Sequence, residues 1–304
     1  MVAFSNLTRA TKAHLCIHLD LRTLLCFRAT SKDHLELATD EFKRSLLSLA
    51  RRFIPRPEQL LAALDHTSGF IGGSVAVLFL LRDRSFIPRS LDVFIPRDAW
   101  WRFEAHLLHA QNASRVGMVL PTADGDEEDN DDILQQRGLV RIAVFRTHLG
   151  IVRLFRSVAP DALVPIARSW GTHLVAYVGP GHFGHGYATL FFQRRAVLGD
   201  LLRDEAERVR AYQRRGFDIR LSPTQWSDLR LQGCGEESWI CPTQPRSFDD
   251  DGALSVRMRP LQTEALESEV VWRLGGRPCG GPCLEVTDEL GMEPAHRVLR
   301  VLRY

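Results

Sequence analysis

The chain has 304 residues, 45% of them hydrophobic and 25% charged, with a net charge of +2 at neutral pH. That length and composition suit one large or two modest globular domains and exclude a disorder-dominated protein, while the near-balance of charge gives no bulk argument for nucleic acid or an anionic membrane as partner. The longest apolar run, Val75 to Leu81, is far short of the roughly 20 residues a spanning helix needs. Six cysteines with no hydrophobic signal core ahead of them point to a reducing compartment, cytoplasm or nucleus, holding free thiols or a metal site.

The first 53 residues predict short amphipathic helices, with Leu15, Leu19, Leu24, Leu25, Leu35, Leu37, Phe42, Leu46, Leu47 and Phe53 at helical spacing. The run Leu15 to Leu46, with its Leu19-Asp20-Leu21 step and Ser31-Lys32 opening the last helix, resembles an F-box. The resemblance implies docking of residues 15–46 to a Skp-type adaptor of a ubiquitin ligase. Asn6 to Ala10 stand where that motif opens with Leu-Pro-x-Glu. A helical cap packed on the following domain explains the same pattern. Pro55 and Pro57 then break the periodicity, marking Ile54 to Glu58 as a junction.

Next come a short helix at Leu60 to Asp65, the turn Gly72-Gly73-Ser74, the apolar run, and an alternating strand, Leu91 to Ile95. Two glycines allow a sharp turn with exposed N–H groups, and the helix starting there directs its positive end at the turn, a corner suited to an anion such as phosphate. On the strand, Ser90 and Asp92 share a face with residue 94. Asp98 is placed to cap a helix, Ala99 to Asn112. The acidic run Asp124 to Asp132 reads as a solvated loop. Gly138 to Phe145 and Gly150 to Phe155 predict a hairpin that contains no acid and carries Arg141 and Arg153 mid-strand. Such arginines repel metal ions and meet phosphate.

Gly72-Gly73-Ser74 followed by Asp92 on a strand resembles the nucleotidyltransferase superfamily, in which the turn cradles a triphosphate and three carboxylates hold two magnesium ions. Ser90 stands where the first aspartate of that signature falls, so the active-site pattern is degenerate. Similarity to a fungal nucleotidyltransferase-like family extends through Thr172, with Ala176 in place of an Asn, and through Tyr212-x-x-Arg215-Gly216-Phe217 at the end of a charged helix, Gln193 to Arg215. It continues through Cys234 and Cys241, Arg246, Asp250-x-Gly252 and Val271 to Gly276 followed by Cys279. Gly179 to Tyr187 reads as a glycine-rich loop in which His182 and His185 invite comparison with a metal pair. Cys234, Cys241, Cys279 and Cys283 are candidate zinc ligands, although only the last two have the spacing of a zinc pair.

These readings predict an α+β chain. Residues 1–56 form an F-box-like helical segment, residues 57–220 a nucleotidyltransferase-like mixed sheet with flanking helices, and residues 221–304 a β-rich extension. The resemblance implies Gly72, Gly73, Ser74, Arg141 and Arg153 as nucleotide-binding residues and Asp92 as the catalytic and magnesium-holding residue of any retained activity. With a single carboxylate kept, the expectation is a non-catalytic binding protein, serving in one version as a ubiquitin-ligase substrate adaptor. The competing expectation is a magnesium-dependent enzyme moving a nucleotidyl group from ATP or another triphosphate, with Asp83 or Asp98 as recruited acids.

Overall fold

A computed structural model describes residues 7–83, 85–119, 137–199, 205–230, 239–241, 244–258, 266, 268–274 and 300–301. The chain is α+β. Three N-terminal helices, α1 (Arg9–Cys16), α2 (Leu21–Arg28) and α3 (Lys32–Ala50), precede α4 (Pro57–Thr67), β1 (Phe70–Gly72), α5 (Gly73–Leu81) and β2 (Ser90–Ile95). Helix α6 (Trp100–Ala105) leads to β3 (Ser114–Val119), β4 (Leu139–Arg146) and β5 (Ile151–Ser157). Strands β6 (Ala176–Val178), β7 (His182–His185), β8 (Arg195–Val197), β9 (Asp218–Arg220) and β10 (Leu254–Arg257) follow, with the helix Glu205–Arg214 between β8 and β9. The main sheet runs β10-β7-β6-β1-β2-β5-β4-β3. Its β2–β5 pair is parallel and its other pairs antiparallel. Among the described residues no helix is long and apolar enough to cross a membrane.

Alternation along the central strands divides the sheet into two unlike faces. Leu91, Val93 and Ile95 of β2, Val152 and Leu154 of β5, and Ala143 and Phe145 of β4 are buried in one hydrophobic cluster with Trp100, Phe103 and Leu107. Ser90, Asp92 and Phe94 lie on the opposite face.

The N-terminal helices begin where the sequence supplies side-chain caps, Thr8, Asp20 and Ser31 accepting from the backbone N–H groups of Thr11, Thr23 and His34. Most of their apolar stripe is turned inward, while Leu15 and Ile17 are exposed. Phe42 of α3 packs its ring 4.8 Å from that of Phe183 and 6.3 Å from that of Phe79, and Leu21, Leu24, Leu37 and Leu46 are buried in the same cluster as the sheet. Arg82, at the C-terminal end of α5, pairs with Glu41 at 2.8 Å, each side chain only 4% exposed. It also donates to the carbonyls of Cys16 and Leu19. At the proposed junction, Ile54 is fully buried and Pro57 occupies the first turn of α4. At the other end, β10 extends the main sheet beyond β7. Nearby, the wholly buried Arg246 holds Asp250 through two 2.7 Å hydrogen bonds, which gives the Arg246 and Asp250-x-Gly252 pattern a structural role.

Three local expectations are corrected. The charged segment after Gln193 is not one helix: Arg194 takes a left-handed φ of 52°, and β8, with Ala196 and Val197 fully buried, pairs in parallel with β9. Charge on the surrounding residues conceals a short buried strand. Asp98 makes no capping bond; a 3-10 turn, Arg97–Ala99, precedes α6, which continues through a π turn, His106–Ala110. There the Gln111 side chain bonds both the N–H and the carbonyl of Arg56, stopping the helix. The segment His182–His185 is a strand instead of a loop, and Gly184 allows it to approach β10: a Cβ there would lie 2.1 Å from the Leu254 carbonyl oxygen.

Candidate functional site

In the antiparallel register of β1 and β2, Gly72 lies beside Asp92, and in the parallel register of β2 and β5, Asp92 lies beside Arg153. The chain leaves β1 into α5 through Gly73 at φ +57°. A Cβ at Gly73 would come within 2.5 Å of Asp92 Oδ2, so both the backbone angle and the space require glycine. Asp92 is 5% exposed. Its Oδ1 accepts from Ser90 Oγ at 2.9 Å and from Arg153 Nε at 2.7 Å, and its Oδ2 accepts from Arg153 Nη2 at 2.5 Å. This is a two-pronged guanidinium–carboxylate pair. Burial draws the pKa of Arg153 down, but the Asp92 carboxylate outweighs it and holds that pKa above its ordinary value.

Above this pair opens a cavity of about 570 Å³. Gly73 and Ser74 from the start of α5 line it, as do Arg89, Arg137, Arg153, Arg168, Arg208 and Arg215. Among the described residues six arginines therefore surround one carboxylate, which already accepts two bonds from Arg153. Phe94 and Phe155, stacked at 4.6 Å with 11° between their planes, line the same space together with Trp170 and Tyr212. Burial pushes the Tyr212 hydroxyl up to about 12, so it is a protonated hydrogen-bonding group at neutral pH. Chemically the cavity combines a dense guanidinium array, suited to phosphate oxygens, with aromatic walls.

Of the residues singled out from the sequence, Gly73, Ser74, Asp92 and Arg153 meet at this cavity. Gly72 lies just behind it, where a Cβ would strike the Phe94 ring at 2.6 Å. Arg141 is placed elsewhere: its guanidinium stacks 5.4 Å from the rings of Trp100 and Trp101, and it is not among the cavity's lining residues. Asp83 bonds Ser85 and pairs with Arg194 beyond the far end of α5, and Asp98 is exposed. Neither reaches Asp92 as a second metal ligand.

The described residues do not fit magnesium, since both oxygens of Asp92 are engaged by a cation and the remaining charged lining among them is arginine. Among the described residues no three His, Cys, Asp or Glu side chains are grouped as a metal would need. His185 is fully buried, its Nδ1 accepting from the Tyr187 N–H and its ring against Phe191. Of the zinc candidates, Cys241 is buried; Cys234, Cys279 and Cys283 lie outside the described residues, as does the acidic run at 124–132.

Arg89, Arg137, Arg168 and Arg208 were not singled out by sequence, and Arg215 was marked for its place near a helix end and in the Tyr212-x-x-Arg215-Gly216-Phe217 pattern, not as a ligand contact. Apart from Arg208 and Arg215, which lie seven residues apart on one helix and the turn after it, they come from separate segments. A compositional signal was nevertheless present: of 39 basic residues only Lys12, Lys32 and Lys43 are lysines, a bias toward the side chain that forks onto phosphate. No family model, no curated protein and no solved structure matches this chain.

Proposed function

We propose that this chain binds a phosphorylated ligand, a nucleoside triphosphate or a close chemical relative, and does not catalyse its transfer. One observation carries the reading: among the described residues, six arginines and the start of α5 line a cavity whose one carboxylate is held by Arg153. Nucleotidyl transfer by two metals needs clustered carboxylates with free oxygens, whereas binding a polyanion needs the guanidinium array alone. The aromatic walls favour a ligand with a flat, apolar portion such as a base. The likeness of Gly72-Gly73-Ser74 and Asp92 to the nucleotidyltransferase signature supports the same ligand class, with the scaffold kept for recognition. Cytoplasm or nucleus is the compartment we assign, supported by the free thiols Cys16 and Cys26.

Titration calorimetry of the full chain with ATP tests the reading. Binding is expected, and Arg89→Gln should weaken it by roughly tenfold through loss of a charge-assisted hydrogen bond. Undiminished affinity in Arg89→Gln and in Arg168→Gln would place the ligand elsewhere.

A further inference from the structure

Three rungs of side chains cross from β2 to β5 on the face that carries the cavity, in the order Ser90–Ile151, Asp92–Arg153 and Phe94–Phe155. Successive rungs are two residues apart, so roughly 7 Å separates each from the next. Arg89 precedes the first rung, and the start of α5 abuts the second through the close approach of Gly73 to Asp92. The third rung differs in character. Ile142 of β4 lies opposite Phe155, and Ile142, Leu139 and Pro165 line the cavity with the two rings. The floor therefore runs from a polar end at Arg89 and Ser90 to an aromatic end at Phe155.

The aromatic end is built to hold its shape. The Phe94 and Phe155 rings stack at 4.6 Å with 11° between their planes. Gly72 makes room beneath them, because a Cβ there would lie 2.6 Å from Phe94 Cε2. The two glycines thus serve different ends: Gly73 makes the turn, and Gly72 lets the ring pair lie against the backbone of β1. Phe94 is 8% exposed and Phe155 half-buried, so Phe155 is the ring offered most to the cavity. The Arg153 guanidinium, held by Asp92, borders that ring at 5.6 Å from its centroid. A ring fixed by a second ring beneath it has little freedom left to lose when a ligand settles on it.

We propose that the third rung is a stacking platform for a heteroaromatic ring, and that the ligand class the cavity selects is a nucleotide lying along β2 and β5. Its base rests on Phe155 and its phosphates run past Arg153 toward Arg89. The inference rests on the anion-binding reading above and narrows it. From the first rung to the third is roughly 13 Å, the reach of an extended nucleoside triphosphate, whereas inorganic polyphosphates and sugar polyphosphates have no flat ring to place on Phe155. Because every base has a π-face, the platform reads the presence of the ring before its hydrogen-bonding pattern.

Calorimetry of the full chain with ATP and with inorganic tripolyphosphate, in metal-free buffer at one ionic strength, tests the inference. Tripolyphosphate carries at least the charge of ATP, so a site that reads charge alone binds it equally or better. ATP is expected to bind more tightly by roughly tenfold or more. Phe155→Leu should bind tripolyphosphate as the parent does and lose the preference for ATP, while Phe155→Tyr, which keeps the ring, should retain it. A cooperative melt checks that each variant is folded. Saturation-transfer NMR on the parent chain, irradiating protein methyl protons, gives a readout that needs no variant: the adenine protons of ATP should receive more saturation than those of its ribose. Equal or tighter binding of tripolyphosphate by the parent would overturn the platform and leave the anion-binding reading intact. An undiminished preference for ATP in folded Phe155→Leu, or stronger saturation of the ribose than of the adenine, would overturn it too. Absence of binding heat with both ligands would overturn the platform and the anion-binding reading together.

Discussion

Asp92 and Arg153 lie side by side on the parallel strands β2 and β5 and meet through two hydrogen bonds of 2.7 and 2.5 Å. The carboxylate that resembles a metal ligand thus serves as the counter-ion of an arginine in a cavity lined by five more. Replacing Asp92 by Asn removes the charge while keeping the shape. Asp92 is buried, but the Arg153 side chain is 40% exposed, so solvent screens part of the loss, and about 2 kcal/mol of destabilisation is expected. The affinity for a polyanion should be unchanged or higher, because a negative charge has left the cavity. Urea denaturation and calorimetry on Asp92→Asn check the two halves, and a large fall in affinity would give Asp92 a role in holding the ligand.

Gly73→Ala tests the turn. An L residue at φ +57° is strained by about 1 kcal/mol, and the added methyl would sit 2.5 Å from Asp92 Oδ2. Asp92 would have to move from Arg153. The variant should lose roughly 2–3 kcal/mol in urea denaturation together with much of its anion affinity. Native stability in this variant would show that the turn tolerates a side chain.

The N-terminal helices are predicted to be inseparable from the sheet. Glu41→Gln leaves Arg82 buried without its carboxylate partner, in a pair whose side chains are each 4% exposed, at a cost of about 3 kcal/mol. Deleting residues 1–50 uncovers Phe79 and Phe183, against which Phe42 packs, and should yield aggregated protein. Polar replacements of Leu21, which is 3% exposed, should likewise act by unfolding the chain. A truncated chain that stays monomeric with a cooperative melt, or a Leu21 variant of normal stability that loses a Skp-type adaptor in pull-downs, would restore an independent F-box role.

Acid should destabilise the protein in a defined window. His173 and His185 are wholly buried, and burial pushes both from 6.5 down to about 3. His173 lies among Trp170, Tyr212 and Phe217, with Arg215 and His185 adding to the depression; Arg246 adds to that of His185. A base whose pKa is lower folded than unfolded takes its proton preferentially in the unfolded chain. Its contribution is therefore complete above about pH 6.5 and is lost as pH falls toward 3. Each histidine adds a slope of about 1.4 kcal/mol per pH unit between these limits. Urea midpoints at pH 7, 6 and 5 should fall accordingly, and His173→Phe should flatten the dependence by about half. A flat profile in the parent chain would show that these histidines reach solvent.

Local chemistry made several of these features legible in the sequence. Ser31 opens the last N-terminal helix and caps it through a short-range bond, and alternation in β2 places Ser90, Asp92 and Phe94 on one face. The turn at Gly73 and the strands bearing Arg153 and Arg141 could be read in the same way. What alternation could not supply was which strands are neighbours and in what register. Arg153 faces Asp92 because β5 lies parallel to β2 with those residues opposed, while Arg141, opposite Arg156 across a register shift in β4–β5, goes to Trp100 and Trp101. The remaining cavity arginines depend on tertiary closure of distant segments. His173 and His185 were illegible as a buried pair for the same reason: their burial depends on neighbours contributed by several elements.

The central claim is that polyphosphate binding and nucleotidyl chemistry are separate in this cavity. Its most direct test is a paired measurement on the full chain: calorimetry with ATP in the presence and absence of magnesium, and transfer of radiolabel from the nucleotide to the protein itself or to added acceptors. The predicted result is binding that magnesium does not strengthen, with no label transferred. Magnesium-dependent transfer that disappears in Asp92→Ala would contradict the account and make this chain an enzyme.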